Sequence, residues 1–323
     1  MKYSSSLCQV LGWSAFVRVD GLTYSLLGDE LVVPNGPLNG SVNLTNIVVT
    51  PTQTVLVAHA GPMQVNLTFL IPIEVRFHSS VTFTFLHMRH MKPGDWVKQS
   101  IPFSYMSFTA KSSDGASHAV QVYSDLTGGT CSFSPKPVVL FSFVAEWSSG
   151  DRFQDIQWSA TPAPNTIYLS VNLENQVLFD EIFDQAEWGT LYYAMQTVSD
   201  FNLPSFFYSR SLMQGNGVNY TIAASETARE YFVANGTLNN TVDPLERGIH
   251  DNFPAFAISR NLGTIQATQA PVVWAVGYTT DPAVNYTDLS GAPPSSRSPY
   301  YRTQYSNDEA LASIYGIFWG DYV

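Results

Sequence analysis

The feature that most constrains this 323-residue chain is its punctuation. Short runs rich in Val, Ile, Thr, Phe and Tyr recur, and each is cut off by Pro, Gly or Asn-Ser before it reaches helix length. "TNIVVTPTQTVLVAHAGPMQVNLTFLIPI" is typical: three apolar stretches divided at Thr50-Pro51 and Gly61-Pro62. Branched and aromatic side chains suit a pleated surface, and Pro and Gly end strands, so this reads as a meander of antiparallel strands. "IPFSYMSFTAKSSDGASHAVQVYSDL" predicts a hairpin turning at Ser113-Asp114-Gly115. "NTIYLSVNLENQVLF" and "APVVWAVGYTTD" repeat the pattern. Two helices are expected. One is "SETAREYFVAN", with Ser225 as N-cap; the other is a terminal one starting at Ser306 or Asn307. Between them "SGAPPSSRSPYYRTQ" reads as a Pro/Ser-rich linker. The expected fold is all-β: a large antiparallel sandwich, supersandwich-like, with a short internal helix and a C-terminal linker helix.

A net charge of -11 excludes a nucleic-acid role, since phosphates need a basic face. Charged residues make up only 13%, half the common share. Asn-x-Ser/Thr triplets stand at Asn39, Asn43, Asn66, Asn219, Asn235, Asn239 and Asn285, which are expected glycosylation sites. With only two cysteines, Cys8 and Cys131, there is no disulfide framework. No run is long enough to span a bilayer, so no membrane role is expected. Together these imply an extracellular or cell-wall protein, whereas "MKYSSSLCQV" lacks the apolar centre of a signal peptide. Residues 1–10 are therefore expected to be a non-native start.

Chemistry-bearing clusters are few. "HMRHM", with His78 nearby, could suit a soft metal. Its spacing fits no zinc template and no carboxylate follows to orient the imidazoles, so neither metal nor cofactor is expected. His59, His118 and His250 are expected to be hydrogen-bonded strand or loop residues. Cys131 has no local signature of a nucleophile. The carboxylates Asp95, Asp125, Glu146, Asp151, Asp184 and Glu187 are better candidates, several of them beside Trp96, Trp147 or Trp188. A carboxylate beside an indole can bind a polar amide or a sugar. The plainer alternative favours core indoles, with acids that cap turns or pair with Arg18, Arg152 or Lys98. The binding candidates are Asp184, Glu187, Trp188, Trp96 and Trp147. Of these, "DQAEWG" is the best single place for a functional contact.

Several phrases, in order, resemble the N-terminal half of the fungal secreted glutaminase A family: "LGWSAFVRVDGLTYSLLGD", "PGDWVKQSIPFSYMSF", "HAVQVYSD", "AEWSSGD", "DQAEWGTLYYA", "FVANGTLNNTVDP" and "AVGYTTDPAVNYT". The resemblance implies a β-sandwich domain over residues 11–290. Residues 291–323 would form the linker and first helix of a helical toroid-type domain, the partner on which the sandwich would sit. It also implies hydrolysis of L-glutamine to glutamate and ammonia by water attack with general acid/base carboxylates, most of that machinery being expected beyond Val323. The catalytic residues themselves are not identifiable from this chain. A carbohydrate-binding sandwich module is the alternative.

Three stretches interrupt the family pattern: 75–92, about 129–145, and 198–214. Val75 and Val198 can supply the GT of an intron donor, and Lys92 and Gln214 the AG of an acceptor. Gly129-Thr130 and Val144-Ala145 can do the same for the middle stretch. All three are expected to be in-frame introns translated into protein; the alternative is genuine insertion loops, which sandwiches tolerate well.

Overall fold

The computed structural model describes residues 12–28, 38–70, 96–127, 154–162, 166–182, 185–197, 217–249, 251–289, 291 and 293–305. Strands are numbered along the chain and counted among these described residues. One sheet has seven: β1 (Trp13–Val19), β2 (Leu22–Leu27), β3 (Leu38–Ser41), β8 (His118–Thr127), β14 (Val218–Ala224), β15 (Thr241–Val242) and β17 (Pro254–Ile265). Their spatial order is β15-β14-β17-β8-β1-β2-β3.

The other sheet has nine. They are β4 (Asn43–Val49), β5 (Gln53–Ala60), β6 (Met63–Leu70), β7 (Phe103–Ser112), β9 (Asp155–Pro162), β10 (Thr166–Leu173), β13 (Thr190–Gln196), β16 (Arg247–Gly248) and β18 (Val272–Thr279). They run in the order β16-β9-β10-β13-β18-β7-β6-β5-β4. Two small hairpins complete the set, β11 (Glu181–Ile182) with β12 (Gln185–Ala186), and β19 (Val284–Tyr286) with β20 (Ser295–Arg297). Pairing is antiparallel except β14 with β15 and β2 with β3.

The sheets pack face to face as a sandwich, the expected all-β class. Val17, Val122, Tyr220, Phe256 and Ile258 of the seven-stranded sheet meet Val65, Phe108, Leu169, Tyr193 and Trp274 of the nine-stranded one in a single buried cluster. Trp274 is 2% exposed, and its indole N–H crosses the layers to donate to the Ile258 carbonyl at 3.3 Å. That bond removes the cost of burying the only polar atom of a large core side chain.

The expected hairpin at Ser113-Asp114-Gly115 turns out to be an arch. Strand β7 pairs with β6 and β18, while β8 pairs with β1 and β17, so the turn carries the chain from one sheet to the other. Alternating apolar positions around a turn fit both arrangements. Strand β8 nevertheless differs, being buried along nearly its whole length because both of its faces are covered.

A helix on the outer side of the seven-stranded sheet supplies that cover. Helix α2 (Ser225–Asn235) has the expected bounds, but its N-cap is Ala224, and Ser225 is a buried first-turn residue. It ends at Gly236, whose φ of 69° is the left-handed conformation that glycine takes without strain; its N–H donates to the Phe232 carbonyl at 2.7 Å. A shorter helix, α1 (Trp96–Gln99), and a 3-10 turn (Tyr300–Thr303) lie against the outer side of the nine-stranded sheet. The three interrupting stretches, residues 1–10 and the expected terminal helix lie outside the described residues, as do His78, His87, His90, His250, Cys8 and Cys131.

Candidate functional site

Strands β13 and β18 are neighbours, and Thr190, where β13 begins, faces Thr279, where β18 ends. The "DQAEWG" phrase therefore arrives at the end of the nine-stranded sheet just before Thr190. Its backbone is tied on every side. The Glu187 N–H donates to the Asp180 carbonyl at 3.0 Å, the Val177 N–H donates to the Glu187 carbonyl at 3.0 Å, and the Gly189 N–H donates to Gln176 Oε1 at 2.8 Å. Gly189 has φ of 123°, and a Cβ there would stand 2.7 Å from the Thr279 carbonyl oxygen, so only glycine fits.

Side chains lock the same corner. The Trp188 indole N–H donates to the Pro282 carbonyl at 2.8 Å, and its ring packs on Phe179 with centroids 5.2 Å apart. The Tyr278 hydroxyl donates to the Trp188 carbonyl at 2.9 Å. Glu187 is 3% exposed. Burial and the nearby Glu187 charge push the Tyr278 phenol up to about 12, so it stays a proton donor at any physiological pH. Trp188 has thus committed both its N–H and its ring to the fold. Asp184 and Trp147 lie outside the described residues, as do Asp95, Glu146 and Asp151.

Trp96 is placed differently. It opens α1, is 62% exposed, and meets the Tyr300 ring edge-on at 5.6 Å. Directly beneath, Tyr301 is 1% exposed within a cluster of Leu70, Val97, Phe103, Tyr105, Tyr168 and Tyr192 on the outer face of the nine-stranded sheet. The next residue, Arg302, pairs with Asp281 at 2.8 Å, next to Pro282, the acceptor of Trp188. The Trp96–Tyr300 contact, the Arg302–Asp281 pair and the Trp188–Pro282 bond are thus linked through the backbone of the 3-10 turn and the Asp281-Pro282 step. Exposed Val177, Leu178, Val284 and Tyr286 belong to the segments these links tie together. The structure unites two of the sequence candidates, Trp96 and Trp188, through residues that were not candidates at all. A readable signal existed: adjacent tyrosines inside an otherwise polar Pro/Ser-rich stretch.

Asp125, another candidate, is wholly buried and serves the fold. The Arg229 guanidinium of α2 grips it at two oxygens, 2.7 Å each, and the Tyr123 hydroxyl donates to Oδ2 at 2.6 Å. Its partner is not Arg18, which donates to Gln121 Oε1 at 3.2 Å. Asp20 and Asp114 hold His118 between them, at 2.6 Å from Nδ1 and 3.1 Å from Nε2. Both contacts favour the doubly protonated ring, with Asp20 the stronger in raising the imidazole pKa. The Ala116 N–H, then His118 and Ser112, hold the Asp114 carboxyl at about 2. Among the described residues, no group of three or more His, Cys, Asp or Glu is placed to hold a metal.

The sequons divide by exposure. Asn43, Asn235, Asn239 and Asn285 are exposed, whereas Asn66 and Asn219 are half-buried within strands. The Asn39 side chain lies outside the described residues. No helix among the described residues is long and apolar enough to cross a membrane.

Comparison with known proteins gives two kinds of match. A family model described as a domain of unknown function, DUF5127, matches residues 75–318. Glutaminase A of Aspergillus oryzae is 32% identical over 286 residues, covering 88% of this chain and 33% of that protein. A protein named "Probable glutaminase" from Arthroderma benhamiae is 26% identical over 303 residues, covering 88% of this chain and 29% of that protein. The chain therefore spans about a third of the length of the curated relatives it matches. Matched by the family model over most of its length, this chain belongs to the DUF5127 family and is a relative of the fungal glutaminase A proteins.

Proposed function

We propose that this chain is the N-terminal, non-catalytic β-sandwich portion of a secreted glutaminase-like amidohydrolase, and that the Trp96–Tyr300 and Trp188 surface seats the rest of that protein. The intact enzyme would hydrolyse L-glutamine to glutamate and ammonia by carboxylate-assisted attack of water. The observation that carries this reading is that the chain spans about a third of its glutaminase-named relatives, while several of its described acids are tied into the fold. Asp125 is closed off by Arg229 and Tyr123, Asp20 and Asp114 clamp His118, and Asp281 pairs with Arg302. A general acid or base needs free access to a substrate proton; Asp125 is wholly buried, and the carboxylates of Asp20, Asp114 and Asp281 are held by a histidine or an arginine. An exposed indole beside an exposed phenol is, by contrast, the composition of a contact surface. The test compares ammonia release from L-glutamine by this chain and by one extended to the length of its relatives. Turnover by the short chain alone would place catalysis in the sandwich and sink the proposal.

A carbohydrate-binding role is the second reading. A cleft of about 180 Å³ is lined by Trp13, Phe69 and Tyr105 with Thr50, Gln53 and Ser104, aromatic faces and hydroxyls without a charged group. That is suitable chemistry for a neutral sugar. Retention on insoluble fungal glucan, abolished by Phe69→Ala, would support it. The three interrupting stretches remain in this reading translated introns, and transcripts that join the Glu74 codon to that of Pro93 would establish it.

A further inference from the structure

Strand β4 borders the nine-stranded sheet. It pairs with β5 on one side, and among the described residues no strand pairs with the other. All seven of its residues are exposed, with Leu44 at 49%, Ile47 at 52%, Val48 at 43% and Val49 at 72%. Such a border offers N–H and C=O groups to any passing chain, and proteins guard it with charge, proline or a bulge; in β4 the Ile47 N–H donates to Asn46 Oδ1 at 2.9 Å. Here only one register shift, between Leu44 and Asn46, interrupts the strand. Charge is missing altogether: from Leu38 to Ile73 the sequence has no Lys, Arg, Asp or Glu. The same uncharged stretch holds three of the chain's Asn-x-Ser/Thr triplets, at Asn39, Asn43 and Asn66. Asn43 is the first residue of β4 and is exposed.

We propose that Asn43 carries an N-linked glycan and that this sugar, in place of charge, guards border strand β4 against pairing with other chains. The proposal rests on passage of the protein through the secretory pathway. The Asn43 amide nitrogen attacks the anomeric carbon of a lipid-pyrophosphate-linked oligosaccharide. The new N–C bond forms as the C–O bond to pyrophosphate breaks, the amide gives up one proton, and the lipid pyrophosphate leaves. A strand of seven residues is about 23 Å long. A branched, hydrated sugar rooted at its first residue obstructs any antiparallel partner laid along it. The half-buried sequons are differently placed: Asn219 Oδ1 accepts from Asn240 Nδ2 at 2.9 Å within the fold.

The full 323-residue chain, secreted from yeast behind a cleaved leader, tests this by glycopeptide mass spectrometry and light scattering after gel filtration. The expected result is a glycan on Asn43 and a monomer. Asn43→Gln should shift elution to dimers and larger species, whereas Asn285→Gln, which removes an exposed sequon on another hairpin, should leave the monomer unchanged. Adding Val48→Lys to Asn43→Gln should restore the monomer, because a charge then takes over the guard. A bare Asn43 with other sequons occupied overturns the proposal alone; bare sequons throughout overturn the secretory premise with it. A monomeric Asn43→Gln variant, an equal shift in Asn285→Gln, or failure of Val48→Lys to rescue each overturns the guarding role.

Discussion

The two outer faces of the sandwich are covered in opposite ways. On the seven-stranded sheet a single eleven-residue helix, α2, inserts Arg229, Phe232 and Val233 between Phe16, Tyr123 and Leu238. Tyr123 is stacked between Phe16, at 5.4 Å, and Phe232, at 5.0 Å. The nine-stranded sheet instead carries two single turns, α1 and the 3-10 turn, four residues each, over an aromatic patch. The first cover is sealed, with its charges paired inside. The second ends in Trp96 and Tyr300, both largely exposed. A helix fixed by a buried ion pair has one geometry, whereas an open aromatic rim can accept another surface. On the proposed function, the contrast gives stability to one face and contact to the other.

The most severe way to break this contrast is at the sealed face. Arg229→Ala leaves the Asp125 carboxylate buried and unpaired, which should cost about 3–5 kcal/mol. Asp125→Leu with Arg229→Met should recover most of it in the same urea titration. Recovery would show that the pair fixes the position of α2 more than it stabilises the fold.

At the open face, Tyr301→Ala should cost about 3 kcal/mol, because its ring fills the patch beneath Trp96. A loss no larger than about 0.5 kcal/mol would mean that the 3-10 turn is a surface ornament and that the patch needs another cover.

The His118 clamp joins the arch of β7–β8 to the β1–β2 turn and tests whether such a tie depends on pH. The raised imidazole pKa contributes stability that is complete below 6.5 and lost as pH rises through the folded value. The lowered Asp114 carboxyl contributes above 3.8 and loses its effect as pH falls toward 2. The melting-temperature gap between the native chain and His118→Asn should therefore be widest between 3.8 and 6.5, and should close on the alkaline side. A gap that keeps widening as pH rises above 6.5 would contradict the assignment.

The smallest effect sharpens the contrast most. Trp96→Ala should change the stability of this chain by less than about 0.5 kcal/mol, as exposed substitutions do. In a chain extended to the relatives' length, the same change should lower the melting temperature. Equal effects in both would remove the contact role.

Much of the sandwich was legible because strand-forming runs and their Pro-Gly breaks are local signals. Helix α2 was legible too over Ser225–Asn235, though its N-cap is Ala224 and not Ser225. The candidate site was legible only in part. "DQAEWG" reads as an acid beside an indole, but nothing local reveals that the indole N–H is claimed by Pro282, ninety-four residues on. Likewise Asp125 and Arg229 are separated by 104 positions, and neither flank announces the other. Trp96 looked equivalent to Trp188, yet one is exposed and the other packed.

By itself the sequence determined the class of secondary structure, the acidic and weakly charged surface, the sequons and the family resemblance, since each is written in neighbouring residues or their sum. Only the tertiary structure decided that the Asp114 turn is an arch, which acids are neutralised, and that adjacent Tyr300 and Tyr301 part company, one to the surface and one to the core. Those outcomes depend on which sheet a strand joins, and strand pairing links residues too far apart in sequence for local pattern to specify.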